Sequence, residues 1–200
     1  MSKSKSGARH RLVLYWHAMN RIWQHMLVLG LLAMAVGWWT LVPPTTILGF
    51  HSDLWLFALA VLSLGIAGYA FIARYFAYIQ PHDAYLTVVT PLVRFRISYQ
   101  RLRGIRPMLL QQIFPPESSS WARRSFISQF YGKTALVLEL KGYPINPRLL
   151  RMFIPGELFY PQGEGLVLLV PDWMKFSTEM DSFFGAWQQT AHRGRLAHSS

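Results

Sequence analysis

Two apolar runs near the start of the chain, residues 22–43 and 54–79, limit what it can fold into more than any other feature. Residues 23–42 match the ~20 positions a helix needs to cross a hydrocarbon core ~30 Å thick, and their one ionisable side chain, His25, stands near the start. The second run is long enough to cross with some tilt. Its one formal charge, Arg74, lies near its end, where a long side chain reaches the headgroups. A core helix of a soluble protein carries polar residues every few positions, and neither run does. Pro43 and Pro44 cannot continue a helix, and the polar "TTILGFHSD" then turns the chain before Trp55. The expectation is a transmembrane hairpin with helices over about 22–43 and 54–79.

The 200 residues are 52% hydrophobic and 14% charged, against the ~25% charged of a soluble domain. A net charge of +11 suits nucleic acid or anionic lipid equally, so the placement of the charges has to decide. The absence of Cys excludes thiol catalysis, a disulfide framework and Cys-based zinc sites. The first run is longer than the apolar region of a cleaved signal and exits into "LVPPTT", so it is expected to be retained. Lys3, Lys5, Arg9, Arg11 and Arg21 precede it without an acid, whereas loop 43–53 holds no Lys or Arg and one acid, Asp53. Both termini are therefore expected in the cytoplasm, with the hairpin in the inner (plasma) membrane. Trp38, Trp39 and Trp55 then belong to the outer interface, and Tyr15, Trp16, Trp23, Tyr75 and Tyr78 to the inner one. Gly30, Ala33 and Gly37, with Ala58, Gly65 and Gly68 on the other helix, are expected to let the two backbones approach.

From Ala84 the pattern changes. "AYLTVVTPLVRFRISYQRLRGI" reads as two strands broken at Thr90 and Pro91, the second alternating Arg94 and Arg96 with Val93, Phe95 and Ile97. "KTALVLELKGY" and "GLVLLVP" are further strands. In "FSTEMDSFFGAWQQTAHR", Thr178 reads as an N-cap with Asp181 three residues on, and Phe176, Met180, Phe183, Phe184 and Trp187 form a helical stripe. Strands followed by one amphipathic helix imply a small α+β unit over 84–192. A basic segment over 1–21 precedes the hairpin, and a disordered tail is expected over 193–200.

This succession resembles bacterial membrane proteins that carry a pleckstrin-homology-like (PH-like) domain. In that family a strand ending near a Thr leads into a second strand and an "I-x-(Y)-x-x-(L/I)-x-x-I" segment, matched here by 85–90, by 92–98, and by Ile97, Leu102 and Ile105. "STEMDSFFGAW" is similar to the helix that plugs one end of the barrel. The resemblance implies a PH-like barrel with a C-terminal capping helix. The R-F-R of Arg94 and Arg96 is also similar to part of the strand motif with which some PH domains bind phosphoinositides.

Segments 106–132 and 144–163 are too apolar for solvated loops, and prolines interrupt them. As a helix, residues 121–131 place Ala122, Phe126, Ile127 and Phe130 to one side and Arg123 and Arg124 off it. Such a segment lies in a headgroup layer, caps the domain core or meets a partner. Arg94, Arg96, Arg101, Arg103 and Arg106 cluster just after the hairpin, and each exposed charge near anionic lipid is worth ~1 kcal/mol. The lipid-binding candidates are those five with Trp121, Arg123, Arg124 and Phe126. Seven dispersed His residues offer no metal spacing, and His82 with Asp83 lacks an oriented nucleophile. Neither a phosphate-binding glycine loop nor a nucleophile elbow is present. No metal, cofactor, catalysis or nucleic acid is expected. The leading reading is a membrane-anchored domain that binds anionic lipid or a protein partner. An accessory or assembly subunit of a membrane complex is the second reading, and a small enzyme acting on lipid is the third.

Overall fold

The computed structural model describes residues 6–41, 52–117, 120–143 and 146–198. Lys3, Lys5, Pro43, Pro44, most of loop 43–53, Ser118, Ser119 and Pro144 lie outside the described residues. The chain divides into two compact units, one of Trp16–Phe76 and one that joins Met1–Tyr15 to Ala77–Ser200.

The first unit is two long apolar helices, α1 (Val13–Leu41, whose first turn belongs to the other unit) and α2 (Ser52–Ala73). Both are long and apolar enough to cross a membrane. At 29 residues, α1 is about 43 Å long and begins nine residues before the expected start. The two helices meet through small residues. A Cβ added at Gly30 would fall 2.8 Å from Leu64, and Gly37 faces Leu56 and Phe57. On α2 the inward residues are Ala60, Ser63, Ala67 and Ala70, spaced three and four apart as one helical face requires. This corrects the expectation for Ala58, Gly65 and Gly68, which are exposed. Near the ends of both helices, Arg74 donates to Asn20 Oδ1 (2.7 Å) and Tyr75 Oη (2.8 Å). Its guanidinium lies 4.1 Å from the Phe71 ring centre and 5.5 Å from that of Trp23, so the charge is held by local groups.

Helix α2 stops short of the expected Ile79, because the chain there is taken into a sheet as β2 (Tyr78–Pro81). The second unit has seven strands among its described residues. β1 (His10–Arg11), β2, β3 (Tyr85–Val89) and β4 (Arg94–Ser98) form one antiparallel sheet in chain order. β5 (Leu102–Leu109), β6 (Thr134–Leu140) and β7 (Gly165–Leu168) form a second. The two sheets are separate and open, not joined into one closed barrel. β6, with Leu136, Val137 and Leu138 fully buried, is the centre of the second sheet.

Helix α3 (Leu110–Ile113) follows β5, and α4 (Trp121–Ile127) and α5 (Pro147–Phe153) fill the apolar connections. Phe126, Ile127, Phe130, Leu150, Ile154 and Leu158 are buried, so most of the apolar side chains of these segments cap the core. The closing helix α6 (Trp173–His198) starts five residues before Thr178. Asp172 caps it, its Oδ1 accepting from the Lys175 amide, while Thr178 donates within the helix to the Met174 carbonyl. Its backbone runs helical to His198, through most of the stretch expected to be a disordered tail. Phe176 and Met180 are fully buried, and α6 touches both β2 and β6.

Candidate functional site

Strand register builds the most distinctive surface of the second unit. Directly paired residues of an antiparallel sheet share a face. Arg11 pairs with Tyr78, Tyr78 with Val89, and Val89 with Arg94, which makes one row across four strands with an arginine at each end. The adjacent row on this face runs Gln80, Thr87, Arg96. Arg9, two residues before Arg11, lies over the Tyr78 ring at 4.8 Å, and Arg96 lies over Tyr85 at 5.0 Å. Arg9, Arg11, Arg94 and Arg96 are all exposed, and neither row contains an acid.

The opposite face of the same strands carries the row His10, Ile79, Val88, Phe95, all buried. At β1, β2 and β4 burial alternates, so charge and core take opposite faces, whereas Leu86, Thr87 and Val88 of β3 are all buried. His10 is held on the buried face by a 2.7 Å contact of its Nε2 with Glu179 Oε2 on α6, and the Ala8 amide donates to the other carboxylate oxygen at 2.6 Å. The Gly7 amide also donates to the Pro81 carbonyl, at 2.9 Å. A Cβ at Gly7 would meet the Glu179 carboxylate and the Pro81 ring, so a larger residue there would displace the carboxylate that the Ala8 amide and His10 bond.

The arginines expected to act together are divided. Arg94 and Arg96 stand on the first sheet, whereas Arg101 closes the turn Tyr99–Arg101 and donates to the Tyr143 carbonyl at 2.9 Å. Arg103 and Arg106 are on β5, and Arg106 Nε lies 3.4 Å from Glu139 Oε1. Arg123 and Arg124 are on α4, where Arg124 bonds the Pro116 carbonyl. Trp121 is 81% exposed, whereas Phe126 is buried and cannot meet a bilayer. Sequence reasoning missed Arg9 and Arg11, because a two-residue strand has no periodicity to read.

Tyr99 sits between the two sheets. Its hydroxyl donates to the His82 carbonyl at 2.7 Å, and its ring meets Phe184 and Trp187 of α6 edge-on. Burial pushes the Tyr99 hydroxyl pKa up, and the carboxylates of Asp83 and Glu179 add to the shift. His82, stacked on Tyr85 at 4.8 Å, is part of this sheet surface. No group of three or more His, Asp or Glu side chains comes together to hold a metal among the described residues. Compared with known proteins, the chain matches no family model, no curated sequence and no solved structure.

Proposed function

We propose that the chain is a non-catalytic, membrane-anchored protein of bacterial PH-like type whose domain lays the outer face of its first sheet against anionic phospholipid headgroups. The observation that carries this reading is the acid-free row Arg11, Tyr78, Val89, Arg94 with Arg9 and Arg96 beside it. Four exposed arginines near an anionic leaflet contribute ~1 kcal/mol each, and tyrosine suits the interface. The row also stands next to the anchor along the chain. Arg11 is two residues before α1 begins, and Tyr78 is five after α2 ends.

Membrane crossing is supported by exposure. In the most apolar windows of α1 and α2 only 17% and 28% of residues are buried, and Leu31, Leu32, Val61 and Leu62 are more than half exposed. Surface of that kind needs lipid or a partner to cover it. Orientation follows the charges, with both termini in the cytoplasm. Two sheets followed by a helix with buried Phe176 and Met180 support the PH-like part. The exposed Gly65 and Gly68 on α2 favour a second reading, in which a further membrane helix packs there as in a subunit of a larger complex.

The domain includes the N-terminal segment, so truncation at Asp83 would remove β1 and β2. The Leu12 amide bonds the Ala77 carbonyl (3.4 Å), which places the two cut ends together. Replacing residues 16–76 with a short Gly/Ser linker should therefore give a soluble domain. It should bind phosphatidylglycerol vesicles more tightly than phosphatidylcholine ones, and salt should weaken that binding. Arg9→Gln, Arg11→Gln, Arg94→Gln and Arg96→Gln together should abolish the difference. Binding indifferent to salt and to these changes would refute the proposal, and reporter fusions at Thr46 and Ser200 of the full chain test the orientation.

A further inference from the structure

A second cationic feature stands apart from the basic rows and uses other residues. Phe114, Arg123, Tyr143, Pro147, Arg151 and Phe159 line an open hollow of about 560 Å³. That lies within the ~300–1,000 Å³ typical of small-molecule sites. The Arg123 guanidinium lies 5.9 Å from the Phe114 ring centre, and that of Arg151 lies 5.6 Å from Phe159. Both rings are buried, so the two cations rest on fixed supports. A guanidinium carries five N–H donors, so a ring contact still leaves donors for a ligand. Among the described residues neither arginine forms an ion pair, the pairs there being His10 with Glu179 and Arg106 with Glu139. The one acid on the lining, Glu164, is shared with an adjoining hollow of about 370 Å³ that Arg103 also lines.

Two guanidinium forks around one hollow call for a ligand with more acceptors than a carboxylate, which satisfies a single fork. A phosphate monoester carries a charge of about −1.5 to −2 and three acceptor oxygens, enough to meet both. The ring and proline walls suit a small carbon body attached to it. We propose that this hollow binds a phosphate monoester, carried either by a soluble metabolite or by a lipid of the phosphatidic acid type. The inference does not rest on the headgroup contact of the first sheet.

The test uses the full chain and phosphorus NMR. Glycerol 3-phosphate is titrated into the detergent-solubilised protein, and separately phosphatidic acid is included in phosphatidylcholine nanodiscs that hold it. At least one probe should give a saturable shift, while phosphatidylcholine, a diester, should not respond. Saturation by glycerol 3-phosphate identifies a soluble source, and a response to phosphatidic acid alone identifies a lipid. Arg123→Gln and Arg151→Gln should each weaken binding about tenfold, as loss of a charge-assisted hydrogen bond does. Arg151→Lys, which keeps the charge without the fork, should fall between. The pair Arg94→Gln and Arg96→Gln should leave the titration unchanged. Arg151 is exposed, so its substitution decides the matter even if Arg123→Gln fails to fold. The proposal is overturned if neither probe saturates, if the Arg123 and Arg151 variants bind like the parent, or if the Arg94 and Arg96 pair weakens binding equally.

Discussion

Both sheets of the domain expose arginines, and what stands beside each one differs. On the first sheet Arg11, Arg94 and Arg96 share a face with Tyr78, Val89, Gln80 and Thr87, none of which is acidic. On the second, Arg106 faces Glu139, and Arg103 lines a hollow with Glu139 and Glu164. Arg101, in the turn before it, is tied to the Tyr143 carbonyl. An arginine beside a carboxylate adds little to the field felt by a distant anion, whereas several without one add together. The electrostatic surface is thus made by strand register and not by the density of arginines along the chain.

The largest test of this contrast lies within one strand. Phe95 points into the buried row between Arg94 and Arg96, which point out. Phe95→Ala should destabilise the domain by about 3–5 kcal/mol, the usual cost of emptying a buried aromatic site. Arg94→Gln and Arg96→Gln should each stay within about 0.5 kcal/mol of the parent. Thermal or denaturant melts of the linker-replaced domain measure all three. A mild Phe95→Ala would break the assignment of faces.

Next in size is Glu179→Ala, which removes the acceptor for the Ala8 amide and the partner of buried His10. The expected cost is about 1–3 kcal/mol, concentrated at β1, with faster hydrogen exchange at the Gly7 and Leu12 amides. Its effect on vesicle binding separates two views by sign. If charge alone mattered, losing an acid would strengthen binding to anionic lipid. If the row matters, releasing β1 takes Arg9 and Arg11 out of register, and binding weakens.

The elements with strong periodicity were legible in the sequence. The alternation of Arg94 to Ile97, the apolar strand at 134–140 and the stripe of Phe176, Met180 and Phe184 are all visible as patterns, and the structure has a strand or helix at each. The start of α6 was misread because Thr178 and Asp181 look like a capping pair, while Asp172 makes the cap. Pairing of residues 6–11 with 78–82 could not be read. Their partners are separated by the two long helices, and nothing local in "SGARHR" announces a strand. The two-helix unit is therefore inserted in sequence within the other unit and does not simply precede it, which is also why half of the basic face was missed.

A smaller effect concerns Tyr99, in the turn between the sheets. Its hydroxyl pKa is raised in the folded state, so the unfolded chain loses this proton first as pH rises. Below the ordinary tyrosine pKa of ~10 both states keep the proton and its contribution is constant, and above it stability falls. Tyr99→Phe should cost about 1 kcal/mol near neutral pH through the lost bond to the His82 carbonyl. The deficit should shrink or reverse in alkali. Melts at neutral and alkaline pH check this, and a deficit that stays constant would mean the hydroxyl is not shielded.

The smallest expected effect belongs to the second sheet. Arg106→Gln breaks a contact with Glu139 in which the arginine side chain is 68% exposed, and exposed pairs are worth about 0–1 kcal/mol. Stability should barely change. In vesicle binding, Arg103→Gln with Arg106→Gln removes the same formal charge as Arg94→Gln with Arg96→Gln. Glu139 beside Arg106 already offsets part of the field of the second-sheet pair, and screening over ~10 Å at ~0.1 M salt shortens the reach of what is left. Binding should then fall by less than about twofold for that pair, and by more than about tenfold for the first-sheet pair at ~1 kcal/mol per charge. Equal losses would show that net charge, not the row, governs association, and the advantage of the first sheet would disappear with it.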